Sequence, residues 1–334
     1  MAIDKSKAYT QIQIAYRAQF LQLQKSLEKE YGQIAVELND RIQDVIKKYA
    51  SVDGVITKKI MDDINRELDR VARWFSVTTT SWLDRNITKS IDLAVTGQDA
   101  AAMYYIKSLI ADYGGEVAAT LSGLLKDPKS PLLLRQSFGT GLDRAIRNRV
   151  WQHRWEGSFA LSDRIWTIDG TLRQNLHDMI EQCANQGLSA VEFSRAVEQY
   201  LEVPGPKWTT KIKPAVTDRG TIKYNSLRLA RTETNQGYHR AQHLSSESSS
   251  LVKAIKWNLS KSHPDYSKHK SYAYMGYPEI CDYRALADHH GLGPGVFPKG
   301  EVPFDHPNGL CYLTDVLYQG AELIRQLEKI YKVA

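Results

Sequence analysis

The chain has 334 residues, 42% hydrophobic and 25% charged, which is enough apolar matter to bury real cores and too long for one minimal domain. Forty-four Lys and Arg against 38 Asp and Glu leave a net charge of +6, which favours an anionic partner and excludes a histone-like tail. No apolar run approaches the roughly 18–20 residues of a membrane span. Met1 to Lys7 lack a signal-peptide pattern, and three cysteines (Cys183, Cys281 and Cys311) exclude a disulfide framework.

Apolar residues recur at Ile12, Tyr16, Phe20, Leu23, Leu27, Tyr31, Ile34, Leu38, Ile42, Val45 and Tyr49, steps of four and three that predict one long helical stripe. Gly32 inside it marks a candidate kink. The Ser51–Gly54 cluster reads as a turn. A second helical run comes next at Ile56, Ile60, Ile64, Leu68, Val71 and Phe75, and the β-branched Thr78–Thr80 weaken it. Gly97, Gly114–Gly115, Pro128 and Pro131 are expected to divide the next stretch of chain into shorter helices.

Residues Thr171 to Leu201 predict two helices split at Gln186–Ser189, with Ser189 and Glu192 in the spacing of a capping box. Val203 to Gly220, with three prolines, reads as a linker or hairpin, and Tyr224 to Ser245 as helix. Beyond the serine-rich connector the pattern turns to strands and loops. Val252 to Leu259 and Leu310 to Leu317 read as strands, with Gln319 to Tyr331 as a closing helix. The expected fold is mainly α, with a long helical N-terminal half and a small loop-rich α+β C-terminal module. Its regions are long helices over 1–127, further helices over 128–202, a basic linker or hairpin and helix over 203–250, and the terminal module over 251–334.

Positive charge concentrates in two places. Val203 to Arg240 holds eight Lys and Arg, among them Lys207, Lys211, Lys213, Arg228 and Arg231, against two acids. Arg144, Arg147 and Arg149 lie in a second cluster running from Arg135 to Arg154. Either stretch suits nucleic-acid phosphates, and either also reads as a solvated face.

Metal-type donors gather after residue 260. Cys281, His306 and Cys311 are compatible with a zinc clamp on a module too small to hold itself by core burial, with His263, Asp282 or His289 as a fourth ligand. A core of Trp257, Tyr272, Tyr274, Tyr283, Phe297 and Phe304 could order the same loop without metal. The chain lacks HExxH, P-loop, GxSxG and dinucleotide fingerprints, so no catalytic residues and no enzyme activity are expected.

The stretch Leu227-Arg-Leu-Ala-Arg-Thr-Glu-Thr-Asn-Gln-Gly-Tyr-His-Arg-Ala241 resembles the helix of phage minor head proteins, the Mu F-like head morphogenesis family. The ordered set of Trp257-Asn-Leu-Ser260, His263-Pro264, Cys281-Asp282, Gly293-Pro-Gly-Val-Phe-Pro298, Val302-Pro303, His306-Pro307 and Cys311 resembles that family's terminal module. The resemblance spans roughly residues 170–316. The chain departs from the pattern where Gly309 stands in place of a cysteine, and where Asp265 to Ile280 reads as an insertion. The resemblance implies a structural head protein that associates with the portal, and with major capsid or scaffolding protein. It implies non-specific contact with packaged DNA, no membrane, and a place in the head interior near the portal vertex after assembly in the host cytoplasm. Arg231, Thr232 and Glu233 form the family helix motif; they either tie the helix to neighbouring segments or are ordinary surface groups. The alternatives are a phage-delivered effector enzyme and a DNA-binding protein on the same scaffold. Against the former, no Glu-x-Glu pair stands near a Ser-Thr-Ser strand, as an ADP-ribosyltransferase would want, and only about 23 residues follow Cys311.

Overall fold

The computed structural model describes residues 5–49, 56–58, 61–112, 115, 119, 161–202, 211, 222–261, 263–265, 267, 273–303, 305–306, 309–319, 322–323 and 325–326. The fold is predominantly α-helical with a small three-stranded sheet near the C-terminus, as the hydrophobic periods predict. The helices are α1 (Lys5–Tyr49), α2 (Met61–Asp112), α3 (Leu161–Gln186), α4 (Ala190–Glu202), α5 (Ile222–Ser248) and α6 (Ile280–Leu286). The strands are β1 (Val252–Asn258), β2 (Val296–Pro298) and β3 (Tyr312–Leu317). They pair antiparallel in the order β2-β1-β3, with Ile255 opposite Phe297 and Asp315.

Two elements depart from their expected boundaries. α1 runs through Gly32 without a break, and α2 runs unbroken through both Thr78–Thr80 and Gly97. Thr80 Oγ1 donates back to Ser76 O at 2.7 Å, which satisfies the hydroxyl inside the helix, and Thr79 is buried. A Cβ on Gly97 would lie 2.8 Å from Tyr16 Cβ, so this glycine is a point of close helix approach and not a helix end.

The chain divides into two compact units. One comprises residues 24–86 and 151–233. Leu27, Tyr31, Leu38, Ile42, Ile64, Leu68, Phe75 and Trp82 are buried there, at steps of four and seven residues along α1 and α2. The Tyr31 ring meets Phe75 and Trp82, and Glu30 accepts from Trp82 Nε1 and Asn86 Nδ2, each at 3.1 Å. The capping box forms as its spacing predicts. Ser189 N donates to Glu192 Oε2 at 3.0 Å, and Glu192 N donates to Ser189 Oγ at 3.3 Å.

The other unit comprises residues 1–23, 87–150 and 234–334. Its apolar core joins Tyr9, Ala101, Ala102, Tyr105, Ile106 and Leu109 of the two long helices to Val252, Ile255, Trp257, Phe297, Leu313 and Leu317 of the sheet. Tyr272 and Phe304, expected in an aromatic core, lie outside the described residues, and Tyr274 is exposed. Pro128, Pro131, Arg144, Arg147 and Arg149 also lie outside the described residues, as does all of 203–220 except Lys211.

Two glycines of the long helices should respond in opposite directions. Gly97→Ala forces Tyr16 aside and should cost about 1–3 kcal/mol. Gly32→Ala has no heavy atom within 4 Å of the new Cβ, and should add about 0.5–1 kcal/mol by removing backbone entropy from the unfolded chain. Urea denaturation of the two variants beside the wild type measures both.

Candidate metal centre

From Thr232 to Gln242, α5 is buried at nearly every position although most of its side chains are polar. A buried amide or imidazole must find a partner, and on this helix the partners lie in the segment from Asp305 to Asp315. Asn235 Nδ2 donates to Asp305 Oδ2 at 2.8 Å, and Gln236 Nε2 to Asp305 O at 2.6 Å. His239 Nε2 meets Cys311 O at 2.7 Å, Gln242 Nε2 donates to Leu313 O at 2.9 Å, and Ser246 Oγ donates to Asp315 Oδ1 at 2.6 Å. Positions 235, 239, 242 and 246 share one helical face.

α1 grips the same segment from residues four apart. Tyr9 Oη donates to Asp315 Oδ2 at 2.8 Å and Gln13 Nε2 to the same oxygen at 3.0 Å, while Asp315 N returns a bond to Gln13 Oε1 at 3.2 Å. The Arg17 guanidinium donates to Leu310 O at 2.8 Å, to Asn235 Oδ1 at 3.3 Å and to Cys311 O at 3.4 Å, and it lies over the Phe20 ring. Burial lowers the Arg17 pKa to about 10, which leaves it cationic at neutral pH. Burial also raises the Asp315 carboxyl, against the hydrogen bonds from Ser246, Tyr9, Gln98 and Gln13.

The segment held in this way carries Cys311 into a cluster of donor groups. His263, Cys281 and Cys311 offer ligand atoms that all lie within 4.8 Å of one another. Cys281 also groups with Glu279 and His306, and His263 with Glu279 and Asp282, within the same distance. Both sulfurs are buried, at 0% and 1% exposure, in a site whose local structure is set by the start of α6. Glu279 is the N-cap of that helix. Its Oε1 accepts from Cys281 N at 2.8 Å and meets His263 Nε2 at 2.6 Å. Despite its burial, the hydrogen bond to Glu279 raises the His263 imidazole above its ordinary pKa, and that pairing lowers the Glu279 carboxyl. The hydrogen bond from Cys281 to Cys311 raises the Cys281 thiol and lowers that of Cys311.

These residues fit a zinc-type ion. Two sulfurs and an imidazole suit a borderline-soft cation, and the carboxylate on the histidine is the usual device for fixing ring orientation. With one ring nitrogen held by Glu279, the other would serve as donor. When bound, the ion would supply positive charge to the thiolates and Lewis acidity to any group in an open position.

Of the four residues expected to bind metal, His263, Cys281 and Cys311 come together, while His306 approaches Cys281 and Glu279. His289 lies apart, with its ring stacked on Phe297 and its Nε2 3.1 Å from Tyr283 O. Sequence reading misses Glu279 and the buried Asp305, since neither stands at a motif position. The expectation that the chain lacks catalytic chemistry is corrected here. The clustered His, Cys, Asp and Glu groups make a metal-type site with catalytic capacity. Its members lie up to 48 residues apart, between His263 and Cys311, so a scan for linear motifs does not register them.

The family helix motif also takes a definite place. Glu233 is fully buried and so is not a surface charge. Arg231 pairs with Glu28 at 3.6 Å, and its carbonyl accepts from Gln24 Nε2 at 3.3 Å. Thr232 Oγ1 donates to Arg228 O at 2.8 Å. Of the basic residues, Lys211 and Arg228 are exposed, and Lys211 lies 3.6 Å from Glu192.

Burial holds His239 neutral, with its pKa lowered to about 4. The unfolded chain protonates this histidine near pH 6.5, so it binds more protons than the folded chain between pH 6.5 and 4. Stability is therefore lost as pH falls through that window. The stability advantage of wild type over His239→Gln should shrink by about 3 kcal/mol between pH 7 and pH 4, as read from urea denaturation at each pH.

No family model matches the chain, and no curated protein or solved structure matches it either.

Proposed function

We propose that the chain is a minor head protein of a tailed phage that associates with the portal during procapsid assembly and is linked to packaging or delivery of DNA. In this reading it lies in the head interior near the portal vertex, after assembly in the host cytoplasm. Major capsid or scaffolding protein is a second protein contact. Packaged DNA is met non-specifically by basic residues, of which Lys211 and Arg228 are exposed. Among the described residues no helix is long and apolar enough to cross a membrane.

One observation carries the reading. The two stretches that resemble the head-protein family, the helix around Arg231–Asn235 and the ordered set ending at Cys311, are separated in sequence and physically interlocked. Asn235, Gln236 and His239 hold Asp305 and Cys311 through side-chain bonds. A helix motif and a terminal module that occur together have a mechanical reason to do so, because neither satisfies its buried polar groups alone.

A second reading, a phage-delivered effector enzyme, is favoured by the carboxylates of Glu279 and Asp282 beside the donor set. Glu279 is already engaged as helix cap and partner of His263, but a purely structural zinc site does not need the Asp282 carboxylate.

The test is retention of the tagged full chain on the portal protein encoded beside it, run next to duplex DNA at physiological salt. Retention by portal with weak DNA binding is expected. Failure to bind folded portal, or tight DNA binding by the chain alone, would overturn the head-protein reading in favour of the effector or the DNA-binding protein.

A further inference from the structure

Three cysteines are free, and two of them are neighbours. Cys281 and Cys311 stand 30 residues apart in sequence, yet their sulfurs lie within 4.8 Å of each other and are joined by a thiol hydrogen bond. A buried thiol ordinarily packs as a small hydrophobe. These two sit instead among polar donors. His263 offers a nitrogen within 4.8 Å of both sulfurs, and Glu279 and His306 offer atoms within that distance of Cys281.

The backbone on either side is already fixed. Glu279 caps the first turn of α6 by accepting from Cys281 N at 2.8 Å, while His239 Nε2 and the Arg17 guanidinium hold the Cys311 carbonyl. Any approach of the sulfurs therefore falls to the side chains. An S–S bond of about 2.05 Å asks the two atoms to close by no more than about 2.8 Å, which rotation about the two Cα–Cβ bonds can share.

We infer that Cys281 and Cys311 are a dithiol–disulfide couple, which hydrogen peroxide closes into a bond tying the start of α6 to the residue before β3. One sulfur attacks a peroxide oxygen, the O–O bond breaks, and a sulfenic acid and one water result. The second thiol attacks the oxidised sulfur, the S–O bond breaks, and a second water leaves. The cysteines together lose two electrons and two protons, and the peroxide is reduced to the two waters. A small, uncharged oxidant suits a buried pair, and the partly exposed His263 side chain marks the side from which it arrives.

The couple also sets the state of the metal centre. Thiolate is the ligand form of cysteine, so closing the bond removes both sulfur ligands, expels any bound ion and leaves His263 on Glu279. The inference rests on the sulfur pair and is independent of the head-protein reading, so a chain that forms the bond but ignores portal fails only the latter.

The test treats the folded full chain with hydrogen peroxide after a chelator has removed metal, then counts thiols in denaturant and maps joined peptides by mass spectrometry. The thiol count is expected to fall from three to one, with the peptides of Cys281 and Cys311 joined and one hydrogen lost from each. Cys183 should remain the free thiol, since it lies in the other compact unit with its Sγ 3.8 Å from Ser189 O. Loading with Zn2+ beforehand should slow the thiol loss and release one ion, read by a colorimetric chelator, for each bond formed. A chain that takes up no Zn2+ but joins the two peptides keeps this inference and loses the metal reading. The inference is overturned if all three thiols survive a peroxide dose that oxidises the urea-unfolded chain, if Cys281 and Cys311 gain oxygens separately without joining, or if the joined peptide contains Cys183.

Discussion

A helix buried on almost all sides but made largely of amides, hydroxyls and an imidazole is stable only if each of those groups is bonded. α5 answers much of that demand by binding the segment Asp305–Asp315, chiefly its backbone, through Asn235, Gln236, His239, Gln242 and Ser246, although Gln236 Oε1, Gln242 Oε1 and Ser245 Oγ stay unpartnered among the described residues. α1 repeats the device with Tyr9, Gln13 and Arg17. The rest of the C-terminal unit depends on this clamp. It fixes β3 against β1 and delivers Cys311 to Cys281 and His263.

The clamp also explains why charge is tolerated so deep in the unit. Arg17, Asp305 and Asp315 are each buried, and each is bonded to groups on a different element. A network of this kind contributes little net stability compared with an apolar core of the same shape, but it is specific. Shifting β3 by one residue would orphan the partners of Leu313 and Asp315 together.

α1 and α2 are legible in the sequence because their apolar spacing is strong, whereas α6 and β2 lie in a stretch with almost no periodicity that reads as loop. α3 and α4 are legible for the further reason that Ser189 and Glu192 announce a cap. β1 and β3 show themselves by alternation. The apolar stripe on α1 reads slightly out of place, since Ile12 and Tyr16 are only half buried while Gln13 and Arg17 are buried. A hydrophobic pattern cannot register a buried face that is polar. Gly97 reads as punctuation because a glycine that admits a neighbouring Tyr16 looks the same in sequence as one that ends a helix. Cys281, Cys311 and His263 are legible as residue types, whereas the places of Glu279 and Asp305 depend on a helix cap and on the space that Gly309 leaves for a carboxylate, which exist only after folding.

The central claim is that α5 and the terminal segment are one cooperative element held by side chain-to-backbone bonds. Hydrogen exchange of the full chain, read by mass spectrometry on peptides covering 234–246 and 309–317, tests it most directly. The account predicts matched protection for the two stretches and their joint loss in Asn235→Ala combined with Gln242→Ala. Rapid exchange over 309–317 beside a protected α5, or a double variant that leaves the protection of 309–317 intact, would contradict it.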